Sequence, residues 1–165
     1  MRRFVLSALF VLALSTPALA QSVFVVRHAE RADAASGGAT MMANDPDLSD
    51  AGRARAQSLA AALKDAGIAA IFTTQYKRTR QTAEPLAKAL GIEVTVVNAN
   101  DAAGLIEKVK AATGNVLVVG HSNTVSDVLA KLGVADPPKL SDNDYDNLFI
   151  VPDKAKPSVL RLHFK

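Results

Sequence analysis

The chain of 165 residues contains no cysteine. Disulfide staples, thiolate metal sites and a lipid-modified cysteine behind an N-terminal leader are therefore all excluded. It also lacks a marked excess of charge of either sign, with 19 basic against 16 acidic residues. Arg2 and Arg3 open an N-terminal leader; without them 17 basic residues face 16 acidic ones and the net charge falls to +1. A nucleic-acid footprint needs a basic face, so nucleic acid is excluded as a partner. No apolar run reaches the roughly 20 residues that a membrane-spanning helix needs.

The first 20 residues read as a signal peptide. Arg2 and Arg3 give the positive start, Phe4 to Leu14 the apolar stretch, and Pro17 precedes Ala18-Leu19-Ala20, a small-x-small cleavage pattern. Cleavage is expected before Gln21, leaving a single domain over 21–165 with no membrane anchor, in the periplasm or secreted. That length suffices for one hydrophobic core.

Strand-length apolar runs alternate with helical patterns. Strands are expected at 22–26, 68–73, 93–97 and 115–119, each rich in β-branched residues. Ser49 can cap a helix running to Ala66, with Leu59, Ala62, Leu63 and Ala66 on its apolar face and Gly67 as its stop. Further helices are expected at 78–90, 102–112 and 124–132, stopped by Gly91, Gly114 and Gly133; Pro85 should kink the first of these or begin its regular part. Such alternation predicts an α/β fold, a three-layer α/β/α sandwich on a mostly parallel sheet. Two late strands, 147–151 and 159–164, should pair antiparallel at a sheet edge. Residues 29–47 have no clear periodicity, and a loop that long is usually functional or disordered.

In open α/β sheets, ligands bind beyond the carboxyl ends of the strands. Arg27-His28 ends the first strand, Lys77-Arg78-Thr79-Arg80 follows the second, and His121-Ser122-Asn123 follows the fourth. Two of the three histidines thus fall at strand ends; His163 reads as a surface residue of the last strand. Arginines and imidazoles together suit a phosphate. Guanidinium donors match phosphate oxygens. An imidazole beside arginines is disfavoured in its protonated form and so keeps a nucleophilic lone pair. A leaving alkoxide also needs a proton donor. Arg80 and Lys77 read as solvated helix residues, and Met41 and Met42 as loop packing. Asn123 can bond substrate or cap the following helix.

Four blocks carry a family resemblance. Val26-Arg27-His28-Ala29-Glu30 resembles the R-H-G/A-E signature of the histidine phosphatase superfamily, the phosphoglycerate mutase-like fold. Leu48-Ser49-x-x-Gly52-x-x-x-Ala56, Thr73-Thr74-x-x-x-Arg78-x-x-Gln81-Thr82-Ala83 and Val119-Gly120-His121-Ser122-Asn123 resemble its later segments, in the family's order. The resemblance implies that His28 is the nucleophile and forms a phosphohistidine. It implies that Arg27 and Arg78 bind phosphate oxygens, that His121 completes the pocket, and that no metal or other cofactor is needed. It places the general acid at Asp101, with Glu30 and Asp33 as rivals. A metal site of His28, His121 and Asp101 is the competing chemistry, and flanking guanidiniums would oppose it.

The implied substrate is a phosphorylated small molecule. Arg27-His28-Ala29-Glu30-Arg31-x-Asp33 is similar to the signature of periplasmic phosphatases acting on lipopolysaccharide sugar phosphates, which would make an envelope sugar phosphate the partner. The small size instead resembles phosphohistidine protein phosphatases, whose substrates need less help from an acid. A non-catalytic phosphate-binding module of the same fold is the alternative to an enzyme. The chain has no room for the insertions of the glycolytic mutases, so mutase activity is not expected.

Overall fold

A computed structural model describes residues 21–33, 45–153 and 155–164. The predicted leader, Met41 and Met42 lie outside the described residues. Six strands and four helices alternate as β1 (Val23–Arg27), α1 (Asp50–Leu63), β2 (Ile68–Thr73), α2 (Lys77–Leu90), β3 (Val94–Val96), α3 (Ala102–Ala111), β4 (Asn115–Gly120), α4 (Ser122–Lys131), β5 (Asn147–Val151) and β6 (Leu160–His163). The sheet order is β3-β2-β4-β1-β5-β6. The β3, β2, β4 and β1 strands are mutually parallel, while β5 runs antiparallel to both β1 and β6. This is the expected α/β sandwich on a mostly parallel sheet, with the late antiparallel pair at its edge.

The alternation of side chains along a strand sorts the core into two layers. Val23 and Val25 of β1 pack with Val116 and Val118 of β4 against Ile106, Val109, Val125 and Leu129 of α3 and α4. Phe24 and Val26 face the other way, with Leu117 and Val119, against Leu59, Leu63, Ala83 and Leu86 of α1 and α2. The β1 strand is buried along its whole length, which explains its continuous apolar run.

Ser49 caps α1 as expected, its hydroxyl accepting from Gly52 N–H at 3.0 Å. The helix ends at Leu63 rather than Ala66, because a turn intervenes before Gly67. Its buried stripe is Gly52, Ala56, Leu59, Ala60 and Leu63; Ala62, expected on that stripe, is exposed. Pro85 lies inside α2, which continues through it to a left-handed Gly91 at φ 65°.

The two ends of the 29–47 segment are tied together. Ala32 N–H donates to Asp47 O at 2.9 Å, Ser49 N–H donates to Glu30 O at 2.9 Å, and Arg31 bridges to Leu48. The start of α1 therefore clasps the chain just after His28. Gly52 makes that clasp possible, since a Cβ there would lie 2.1 Å from Glu30 O.

Candidate active site

The sheet order sets β4 between β1 and β2, so the residues that follow these three parallel strands meet at one edge. His28 follows β1, Thr74 follows β2, His121 follows β4, and Arg78 lies in the first turn of α2. The two imidazoles face each other edge-on, with ring centroids 5.3 Å apart. Arg27, His28, Arg78 and His121 are all buried, so the structure brings together four of the five expected site residues.

His28 is held from both sides. Its backbone N–H donates to Gly120 O at 2.9 Å. Its Nδ1 lies 2.8 Å from Ala29 O. A carbonyl can only accept, so Nδ1 carries the proton and the lone pair of the neutral ring sits on Nε2. Burial pushes the pKa down to about 2; the Ala29 contact opposes this, while His121, Arg27 and Arg78 add to it. The ring is therefore neutral at ordinary pH, as a nitrogen nucleophile must be.

His121 Nε2 lies 3.0 Å from Thr74 Oγ1, which lies 2.9 Å from Thr79 Oγ1. The Thr79 hydroxyl donates to the Tyr76 carbonyl at 2.8 Å. It must then accept from Thr74, which leaves Thr74 to accept from His121 Nε2–H. Burial, then Arg78 and Arg27, lower the His121 pKa to about 4. Tyr76 packs edge-on to this ring at 5.4 Å, and the Arg78 guanidinium stacks on the same tyrosine at 4.3 Å.

The guanidiniums are anchored yet keep free donors. Arg27 Nη1 donates to Ser141 O at 2.8 Å, and its guanidinium stacks on Tyr145 at 4.2 Å. Among the described residues no hydrogen bond reaches Arg27 Nε, Arg78 Nε or Arg78 Nη1, although all three are buried. Buried donors without acceptors are costly, and an anion is the ligand that satisfies several at once. Asp45 reaches the same place. Its carboxylate accepts from Lys77 N–H at 3.0 Å and lies 3.5 Å from Arg78 Nη1.

Sequence reasoning missed part of this architecture. Arg31 is a third guanidinium beside the site, close enough to lower the pKa of Arg27, Arg78 and His121. Thr82 accepts from Ala29 N–H at 2.9 Å and donates to Arg78 O at 2.7 Å, joining the loop after His28 to the helix that carries Arg78. Gln81 accepts from Leu48 N–H at 2.8 Å. The Gln-Thr pair of the third sequence block could have signalled these two contacts. Nothing local marks Tyr145, which lies 118 residues from its partner Arg27.

The three candidate acids separate clearly. Glu30 is gripped by Arg55, with contacts of 2.7 to 2.9 Å. Burial raises its pKa, but the Arg55 hydrogen bonds, a backbone hydrogen bond and the charges of Arg55 and Arg27 together hold it below the ordinary value; paired in this way it is a poor proton donor. Asp33 is buried and sits 3.1 Å from Arg31 Nε. Asp101 stands apart from the imidazole–guanidinium cluster. It is exposed, caps α3 by accepting from Gly104 N–H at 2.9 Å, and lines a cavity next to His121. Among the described residues no three histidine or carboxylate side chains converge as metal ligands do, and three guanidiniums beside the imidazoles would oppose a cation. Asn123 is exposed within the first turn of α4, where the Thr124 hydroxyl, not Asn123, accepts from His121 N–H at 2.8 Å. His163 is a surface residue as expected, 3.0 Å from Asp146.

A model of the histidine phosphatase superfamily, branch 1, matches residues 23–100. That stretch holds Arg27, His28 and Arg78, and ends before His121 and Asp101. The match supports the histidine phosphatase superfamily as the family of this chain. Solved structures share its fold. The protein histidine phosphatase SixA in complex with tungstate aligns with a TM-score of 0.66 at 19% identity, covering 86% of this chain and 96% of its own. SixA from Agrobacterium tumefaciens aligns with a TM-score of 0.59 at 23% identity, covering 87% and 97%. A mycobacterial glucosyl-3-phosphoglycerate phosphatase gives 0.63 at 15% identity, covering 87% and 98%. No curated protein matches the sequence.

Proposed function

We propose that the protein is an exported phosphatase that hydrolyses phosphate monoesters through a phosphohistidine on His28. The observation that carries this reading is the neutral His28 ring, its lone pair left on Nε2 by the Nδ1 contact to Ala29 O, set among buried guanidiniums with unanswered donors. In the first step the Nε2 lone pair bonds to phosphorus and the ester P–O bond breaks. Arg27 and Arg78 neutralise the equatorial oxygens, and the uncharged His121 ring closes the pocket beside them. The departing oxygen takes a proton from an acid on its own side, for which Asp101 is the candidate. Positive charge developing on the His28 ring is met by the Ala29 carbonyl. Water then attacks phosphorus, the P–N bond breaks, and phosphate leaves with His28 restored.

Export rests on the leader pattern of residues 1–20. With a cut before Gln21, that residue would open the mature chain, where its Nε2 bonds to Val109 O at 3.2 Å and Ala112 O at 3.0 Å tie it to α3. Among the described residues no helix is long and apolar enough to cross a membrane. N-terminal sequencing of exported protein tests the cleavage; a retained Met1 would sink it. The site itself is tested by hydrolysis of a chromogenic aryl phosphate together with trapping of a radiolabelled, acid-labile phosphoenzyme. Both signals are expected for the wild type, and both should vanish in His28→Ala. Unchanged turnover in that variant would overturn the mechanism. Saturable phosphate binding without any label would instead mark a non-catalytic binding module.

A second reading, a phosphohistidine protein phosphatase, draws on the likeness to SixA, whose chains are covered almost completely. Turnover of phosphohistidine in excess of phosphate esters would favour it.

A further inference from the structure

The charge around this cleft is divided. Arg78, Arg27 and Arg31 all act on His121. A cavity of about 270 Å³ that none of them lines opens between the ends of β2 and β4 and the helices α3 and α4. Its wall is shared with the phosphate site. Thr74, the hydrogen-bond partner of His121, lines it, and so does Gly120, whose carbonyl accepts from His28 N–H. The cavity thus borders the residues that hold both imidazoles in place.

The cavity floor is apolar, made by Phe72, Val97, Leu105, Val118 and Val128. Its rim carries the amides Asn98, Asn100 and Asn123 and the carboxylates Asp101 and Asp127. No lysine, arginine or histidine is among its described lining residues. An apolar floor with a few convergent polar groups is the usual make-up of a small-molecule site. The volume equals that of roughly nine water molecules in the liquid, enough for one sugar-sized ring or a short polyol and too little for a folded protein surface element. Helix N-termini favour anions, but Asp101 already accepts from the first turn of α3.

We propose that this cavity is the leaving-group subsite, and that it selects a compact, hydroxylated group that is uncharged or cationic. A leaving group bearing a second phosphate or a carboxylate would meet Asp101 and Asp127 with no cation to answer it. The same placement gives Asp101 its role, since the proton donor must stand on the side of the departing oxygen. Asp127, exposed on α4 and part of the rim, is the specificity-determining residue. The proposal rests on the phosphatase reading above and narrows its substrate class.

The test compares kcat/KM for three small phosphate monoesters, namely phosphoethanolamine (cationic remainder), glycerol 2-phosphate (neutral) and 3-phosphoglycerate (anionic). The first two are expected to exceed the third by roughly tenfold or more at low salt, with the gap shrinking as salt rises. Asp127→Lys should close or invert the gap between neutral and anionic substrates, and Asp127→Asn should narrow it in a milder replacement that preserves size. Equal kcat/KM for the three esters in the wild type, or a ratio unmoved in both variants, would overturn the subsite. Aryl phosphate turnover that depends on His28 distinguishes the two levels. If it persists while the ranking fails, only the subsite falls; if it is absent, the phosphatase reading falls first.

Discussion

Burying two neutral imidazoles makes the fold sensitive to acid. In the unfolded chain His28 and His121 titrate near 6.5, whereas in the folded protein burial lowers them to about 2 and about 4. Below pH 6.5 the unfolded chain binds protons that the folded chain refuses, so stability falls as pH falls and levels off only at the folded pKa values. At pH 5 each ring lies 1.5 units below its unfolded pKa but above its folded one. At about 1.4 kcal/mol per unit, each then costs about 2 kcal/mol relative to pH 7 or above, and the pair about 4 kcal/mol. This magnitude depends on the unfolded pKa, not on how far below 5 the folded values lie. Urea unfolding at pH 7 and pH 5 measures it. The drop between the two should shrink by about 2 kcal/mol in His28→Asn and in His121→Asn, and by about 4 kcal/mol in the double variant. Other titrating groups contribute equally to wild type and variant and cancel in the comparison. A double variant with the same loss as the wild type would refute the claim that these rings are buried neutral.

Two packing predictions concern the scaffold of the nucleophile. Gly52→Ala places a methyl 2.1 Å from Glu30 O, a backbone clash; a loss of about 3 kcal/mol and a large drop in aryl phosphate turnover are expected, read by thermal melting and kinetics, and a variant with unchanged melting would refute the clasp. Thr82→Val removes the acceptor of Ala29 N–H and leaves that buried donor unanswered, at a cost of about 1–3 kcal/mol; because Thr82 also bonds Arg78 O, kcat should fall alongside stability, and stability loss with kinetics intact would reduce Thr82 to a structural role.

Much of the fold could be read in advance where one physical cause dominates. The β1 and β4 strands are buried on both faces, so their sequences are continuous β-branched runs, and helix stops coincide with glycines of positive φ such as Gly91. Where a feature depends on which neighbour covers which face, the sequence was ambiguous. Ala62 fits the apolar period of α1 yet is exposed, because the buried stripe is set by what covers it, α2 over Leu59 and Leu63 and the Ala29–Leu48 pair over Ala56. The site divides in the same way. Arg27, His28, Arg78 and His121 are legible because each sits at a strand end or at the helix start that follows one. Tyr145 and Arg55 are not, because their partners Arg27 and Glu30 are 118 and 25 residues away and neither follows from local pattern. The Glu30–Arg55 pair also decides the chemistry of a residue that sequence alone left open as an acid.

These contacts account for how a weakly basic residue becomes a reactive one. Removing an imidazole from water costs far less while it is neutral than once it is protonated, so burial opposes protonation; adding guanidiniums with buried, unanswered donors opposes it further. Both features cost stability in the empty site, the first at low pH and the second at every pH. A phosphate reverses both at once. Its oxygens answer the donors of Arg27 and Arg78, and its negative charge offsets the guanidiniums that otherwise surround His28. The energy spent in holding the empty site is therefore returned when charge arrives on phosphorus, which is the condition for an electrostatic site to favour transfer over simple storage. The clasp of α1 on Glu30 and the Thr82 bridge are what let the fold hold that arrangement before the phosphate comes.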